Sequence, residues 1–221
     1  MLFRSPTGSP GRAGGRSLFI ERTADLESLW ERMGAEDFGD DERLPYWVEL
    51  WPAALLLADW VAREPGRVAG RTTLDLGCGL GLTALAAAAA GAKVLGLDYE
   101  LPALRFAREN AALNQIPGVL WVQMDWREPG LAQGAFERIL GADILYERRL
   151  FEPLEGLLRR SLAPGGIVWI AEPAREVSAR VWDELRSRGW RTEKKTTETV
   201  RAVTGGDYTA TVHLWELTRN D

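Results

Sequence analysis

Asp75 leads three glycines spaced two apart, Gly77, Gly79 and Gly81, in the run Leu-Asp-Leu-Gly-Cys-Gly-Leu-Gly. A glycine turn between a strand and a helix lets a ligand approach bare backbone, where main-chain N–H groups point outward. Asp98 closes a second apolar run, Lys93-Val94-Leu95-Gly96-Leu97. A carboxylate at such a strand end can accept two hydrogen bonds from a ribose diol. Tyr99 follows it and can pack on a base. Asp125 and Trp126 close a third run, and Asp143 and Tyr146 stand at the end of a fourth. These types and positions fit recognition of an adenosine-bearing ligand. They do not fit a dinucleotide fingerprint, because Leu82 stands where the third glycine of G-x-G-x-x-G would fall.

The elements that must hold these residues can be read from periodicity. Strands are expected at 72–77, 93–98, 119–124, 137–142 and 165–171, and helices at 80–90, 101–114, 148–162 and 175–188. Strict alternation with short links predicts a parallel sheet covered by helices on both faces. The end of the chain breaks that pattern. Residues 190–202 and 208–217 read as two strands around Thr204-Gly205-Gly206-Asp207, a hairpin that makes the last strand antiparallel. Ahead of the first strand, Pro52 suits the opening turn of a helix running through Leu55, Leu56 and Trp60 to about Arg63. Residues 24–34 read as a further helix and Glu36 to Glu42 as an acidic linker. Residues 1–20, rich in Gly, Ser and Pro with Arg4, Arg12 and Arg16, read as a flexible arm ahead of one domain over 21–221.

Composition narrows the function classes. The chain has 221 residues, is 46% hydrophobic and carries a formal charge of −5, against a broad nucleic-acid surface. One cysteine, Cys78, excludes an internal disulfide and a Cys-based zinc site, and one histidine, His213, excludes a His-rich metal site. No apolar run reaches the ~18 residues of a membrane span, so a cytoplasmic location is expected.

The octapeptide 74–81 resembles motif I of the class I, seven-strand S-adenosylmethionine-dependent methyltransferases. That resemblance implies a three-layer Rossmann-like α/β fold, with a doubly wound sheet of order 3-2-1-4-5-7-6. It also implies that Gly77, Gly79 and Gly81 cradle the amino acid end of the cofactor, with Asp75 orienting the loop or reaching the ammonium through water. Asp98 and Tyr99 would meet the adenosine, Asp125 would receive the adenine amino group, and Ala142 would face the sulfonium. The segment Gly-Ala-Asp-Ile-Leu-Tyr over 141–146 is similar to the D-x-x-Y signature of methyltransferase family 16, which contains many protein lysine methyltransferases. Trp51, in Leu-Trp-Pro-Ala-Ala, matches that family's tryptophan near the cofactor, and Trp126 matches one packed on adenine. This resemblance covers about residues 44–220.

The cofactor so implied carries an already activated methyl group, so the protein must align a nucleophile with it. A lysine amine, of ordinary pKa about 10.4, must first lose a proton. On this reading Asp143 holds the incoming ammonium, Tyr146 and Trp47 offer it ring faces, and Glu49 contacts it at the entrance. Protein lysine N-methylation, yielding S-adenosylhomocysteine, is the expected activity. Small-molecule N-methylation is the alternative enzyme reading, and a non-catalytic interaction module on the same fold is an alternative of another class. An NAD-dependent oxidoreductase is disfavoured by Leu82 and the terminal hairpin.

Overall fold

The computed structural model describes residues 2–3, 17–22, 46–175, 180–203 and 208–220, with the backbone alone at 2–3. The helix predicted over 24–34, the acidic linker and the turn at 204–207 lie outside the described residues.

Seven strands form one sheet: β1 (Thr72–Leu76), β2 (Lys93–Asp98), β3 (Leu120–Gln123), β4 (Phe136–Ala142), β5 (Leu162–Pro173), β6 (Trp190–Arg201) and β7 (Thr209–Arg219). Their order is 3-2-1-4-5-7-6. The pairings of β1 with β2 and β4, β2 with β3, and β4 with β5 are parallel. β7 enters antiparallel between β5 and β6. The helices are α1 (Pro52–Arg63), α2 (Leu82–Ala89), α3 (Leu101–Leu113), α4 (Phe151–Ser161) and α5 (Val181–Ser187). Of the last helix expected over 175–188, Val181–Ser187 is observed as α5, Arg175 is outside a helix, and 176–179 lie outside the described residues.

Each strand sends alternate residues to opposite faces, which creates two cores. One holds Leu55, Leu56, Leu85, Leu140, Trp169 and Leu214, on the side of α1 and α2. The other holds Leu74, Leu76, Leu97, Ile139, Leu154 and Trp182, on the side of α4 and α5. β1 lies in the middle, and its residues 73–76 are all buried. A central parallel strand covered on both faces needs that composition. α2 contributes Ala84, Ala86 and Ala87, small side chains that let it lie close to α1 and the sheet.

The segment expected to be a flexible arm is anchored at its C-terminal end. Leu18–Phe19 pairs antiparallel with Leu2–Phe3, and Leu18 and Ile20 are buried. Two asparagines one turn apart, Asn110 on α3 and Asn114 at its C-cap, take the place of a neighbouring strand. The Phe19 N–H donates to Asn114 Oδ1 (2.8 Å) and Asn114 Nδ2 donates back to the Phe19 carbonyl (2.6 Å). The Glu21 N–H donates to Asn110 Oδ1 (2.7 Å), and Asn110 Nδ2 donates to the carbonyls of Glu21 (3.0 Å) and Leu80 (3.1 Å). Asn110 therefore ties the N-terminal segment to the glycine loop. Asn110→Ala leaves these buried main-chain groups without partners and should cost about 2–3 kcal/mol in denaturant unfolding. An unchanged midpoint would show that water replaces the carboxamide at no cost.

Candidate active site

The C-terminal ends of β1, β2 and β4 open into a cleft of about 390 Å3, within the range of a small-molecule site. β1 ends in the glycine loop. The loop is held tight by the Cys78 N–H donating to the Leu97 carbonyl (2.9 Å) and the Gly81 N–H to the Cys78 carbonyl (2.8 Å). Gly77 and Gly79 line the cleft. At Gly79, φ is +50° and the nearest atom to an added Cβ is the Trp47 carbonyl at 3.8 Å. The backbone is bare there, with room for a ligand to reach it.

Gly81 and Asp75 do not line the cleft. A Cβ on Gly81, at φ +87°, would meet Ala107 at 3.0 Å and Trp121 at 3.1 Å. Its smallness serves the packing of α2 against α3 and β3, and it does not line the cleft. Asp75 alternates with Leu74 and Leu76, so it points to the opposite face, under α2. There its Oδ2 accepts the Thr83 hydroxyl (2.8 Å). Burial pushes the Asp75 carboxyl up to about 7, against the lowering by Thr83. Thr83 lines the cleft, so Asp75 meets the site through that hydroxyl.

Asp98 ends β2 and lines the cleft. Its Oδ2 accepts the Gly79 N–H (2.8 Å) and its Oδ1 the Glu100 N–H (2.9 Å). A diol in the cleft can donate to its carboxylate. Burial raises its pKa to about 6, opposed by main-chain hydrogen bonds from Glu100, Gly79 and Tyr99. Tyr99 lines the cleft beside it, as do Trp126 and Ala142. The Trp126 Nε1–H is buried with no hydrogen-bond partner, and its ring lies 3.3 Å from where a Cβ on Gly77 would sit. Asp125 also lines the cleft, but Arg127 grips both of its oxygens, with Nε at 3.0 and 2.9 Å and Nη2 at 2.6 Å. The adenine amino group assigned to Asp125 would share that carboxylate with Arg127.

The opposite wall comes from residues 46–51 at the entry to α1. Tyr46, Trp51 and Tyr146 form an edge-to-face chain, with ring centroids 6.1 Å apart for Tyr46–Trp51 and 5.6 Å for Tyr46–Tyr146. Trp51 Nε1 donates to the Tyr46 carbonyl (2.8 Å). Trp47 packs on Phe106 at 5.7 Å while still lining the cleft. Burial pushes the Tyr146 phenol up to about 12, so near neutral pH it is a hydrogen-bond donor and not a base. Tyr146 is nonetheless 38% exposed, which leaves this edge of the cleft open to solvent.

The two acids expected to meet a cation are each covered by an arginine that sequence reading missed. Asp143 lines the cleft and is gripped by Arg175, Nη1 to Oδ1 at 2.5 Å and Nη2 to Oδ2 at 3.1 Å. Burial raises the Asp143 pKa, with Arg175 acting against it. Glu49 accepts Arg22 Nη1 at 2.8 Å. His213 lies on β7, with its Nδ1 2.9 Å from the Thr197 hydroxyl, outside the site. Among the described residues no cluster of His, Cys, Asp and Glu could hold a metal ion, and no helix is long and apolar enough to cross a membrane.

The open Gly79 backbone, the oriented Asp98 carboxylate and the unpartnered Trp126 N–H fit an S-adenosylmethionine-sized ligand in chemistry and in volume. If Asp98 accepts the ribose hydroxyls, Asp98→Ala should weaken cofactor binding by about 1.5–3 kcal/mol in calorimetry. In the unmodified chain, affinity should fall as the pH drops through about 6 and the acceptor takes up its proton. A pH-independent affinity would remove Asp98 from that role.

Residues 41–184 match the sequence model of a lysine methyltransferase family, well over half of the chain. EEF1A lysine methyltransferase 3 of Mus musculus is 30% identical over 143 residues, 63% of this chain and 60% of that protein. Electron transfer flavoprotein beta subunit lysine methyltransferase of Xenopus laevis is 34% identical over 136 residues, 59% of this chain and 53% of that protein. The matches thus span about half to three fifths of these relatives' own lengths. Among solved structures, the protein PH1948 of Pyrococcus horikoshii superposes with a TM-score of 0.64 at 17% identity, covering 88% of this chain and 97% of that one. At that identity the likeness is one of fold.

Proposed function

We propose that this chain, which belongs to the lysine methyltransferase family, uses S-adenosylmethionine to N-methylate a lysine side chain of another protein. The observation that carries the protein acceptor is the open edge of the cleft, where Tyr146 lines the site yet is 38% exposed. A side chain standing out from a protein surface can enter there, with Tyr46 and Tyr146 offering ring faces to its cation. When bound, the cofactor supplies an electrophilic methyl on a sulfonium. The chain's own residues do the rest. The glycine loop and Asp98 fix the amino acid and ribose ends, Trp126 packs on the adenine, and Asp143 holds the lysyl nitrogen. The lysyl ammonium gives a proton to water, and the free amine takes the methyl that the bound cofactor would supply, with S-adenosylhomocysteine as the product. Positioning of this kind is where the rate is gained.

Small-molecule N-methylation is the second reading. The Asp143–Arg175 pair favours it, because a carboxylate already neutralised suits an uncharged acceptor. The experiment that separates the two is incubation of methyl-labelled cofactor and enzyme with a lysate from a strain lacking the gene. Label in acid-precipitated protein, on lysine, is the expected result. Label confined to the small-molecule fraction would favour the second reading, and no label in either would remove both. A cytoplasmic location accompanies the proposal, in keeping with a single unpaired thiol at Cys78.

A further inference from the structure

Asp143 is unusual in two ways at once. Its φ is +55°, a left-handed conformation that few side chains adopt readily, and its side chain is only 7% exposed although it lines the cleft. The Asp143 N–H is fixed to the Ala171 carbonyl (2.8 Å), and the Ala174 N–H to the Thr211 carbonyl (3.0 Å). Both sides of the Asp143–Arg175 contact are therefore fastened to the sheet. Arg175 does not line the cleft, and its side chain is 39% exposed. It reaches the buried carboxylate from the solvent side and binds it through two nitrogens.

We propose that Arg175 is an intramolecular stand-in for the acceptor: it fills the acceptor's cation site on Asp143 in the resting chain and gives way when a lysine enters. The inference rests on the protein-lysine reading and deepens it. A buried, ionised carboxylate without a countercharge is costly, so an ionised Asp143 favours a cation beside it. Exchange of one cation for another keeps that balance. A guanidinium is a planar cation with no amine to methylate as lysine's is, so Arg175 can occupy the site without competing for the methyl group. Glu49 repeats the arrangement on the facing wall. It too is buried in the cleft lining and covered by a partly exposed arginine, Arg22, at 2.8 Å. Asp98 differs, being held by main-chain N–H groups, and it serves the cofactor side.

Arg175→Lys places a primary amine where the guanidinium lies. Incubated alone with S-adenosylmethionine, this variant should methylate the side chain at position 175. The side-chain ammonium loses a proton to water, the N–C bond forms, and the S–C bond of the cofactor breaks with its electron pair going to sulfur. The rate should not depend on protein concentration, since the transfer stays within one chain. Adding Asp143→Asn should slow it at least about tenfold. Peptide mass spectrometry reads the position. No methyl there, in a variant that binds S-adenosylhomocysteine as tightly as the unmodified chain, overturns the proposal. Arg175→Gln covers the case in which the lysine variant does not fold. With lysate protein as acceptor, its half-saturating amount should fall about tenfold, the equivalent of about 1.4 kcal/mol. A rise would make Arg175 a positioning residue for Asp143 and overturn the stand-in. Label entering lysate protein with none at position 175 defeats this inference alone. Label in neither defeats the protein-lysine reading as well.

Discussion

Gly79→Val should abolish cofactor binding by calorimetry while leaving the circular dichroism spectrum unchanged. The argument is spatial. An added Cβ meets nothing closer than the Trp47 carbonyl at 3.8 Å, so the fold itself has room for the side chain. That room is the cleft, and an isopropyl group there stands where a ligand would touch the loop backbone. The left-handed φ of +50° adds a strain of about 1–2 kcal/mol, which a domain of ordinary stability survives. Gly81→Val is the contrasting case. Its Cβ would press on Ala107 and Trp121, so it should lower the unfolding midpoint first. Micromolar cofactor binding retained by Gly79→Val would reduce the loop to a structural turn.

The second large effect is in stability against pH. Asp75 is 1% exposed, and its carboxyl titrates at about 7 in the folded chain against 3.8 in an unfolded one. Below 3.8 both forms carry the proton. Between 3.8 and about 7 the unfolded chain has lost it and the folded chain keeps it, so each rise in pH favours unfolding. At about 1.4 kcal/mol per unit, the loss over that window is roughly 4 kcal/mol. Asp98 shifts in the same direction. Asp75→Asn removes the titration and keeps an oxygen for the Thr83 hydroxyl. Denaturant unfolding of this variant should lose stability less steeply as the pH rises from about 4 to about 7. An unchanged slope would mean that Asp75 ionises freely under α2.

The sheet order, the loop and the strand-end acids were legible because each depends on local signals. Alternating and helical periods mark the elements, and glycines mark the turn. The face that Asp75 takes and the packing around Gly81 were not legible from the motif, because a motif does not say which face its members take. Alternation from Leu74 and Leu76 contains that information for Asp75. The arginines on Asp143, Glu49 and Asp125 were not legible as site residues. Arg175 reaches Asp143 across 32 positions and Arg22 reaches Glu49 across 27, and no spacing rule selects one arginine among many. The docking of Leu18 to Ile20 left one usable sign, the pair Asn110 and Asn114 on a single helix face. Neighbouring carboxamides one turn apart can imitate the donors and acceptors of a strand.

The place of β7 also sets the order in which the molecule can be completed on the ribosome. Among the described residues β6 pairs only with β7, and β7 fills the gap beside β5 although it comes after the other six strands in the sequence. Until translation reaches Thr209, β5 presents an open edge, of the kind that invites pairing with other chains. β1 to β4, with the glycine loop and Asp98, have emerged long before that. The Ala174 N–H, next to Arg175, finds its acceptor only when Thr211 arrives. Vectorial synthesis therefore delivers the cofactor cradle first and the wall that holds Arg175 against Asp143 last.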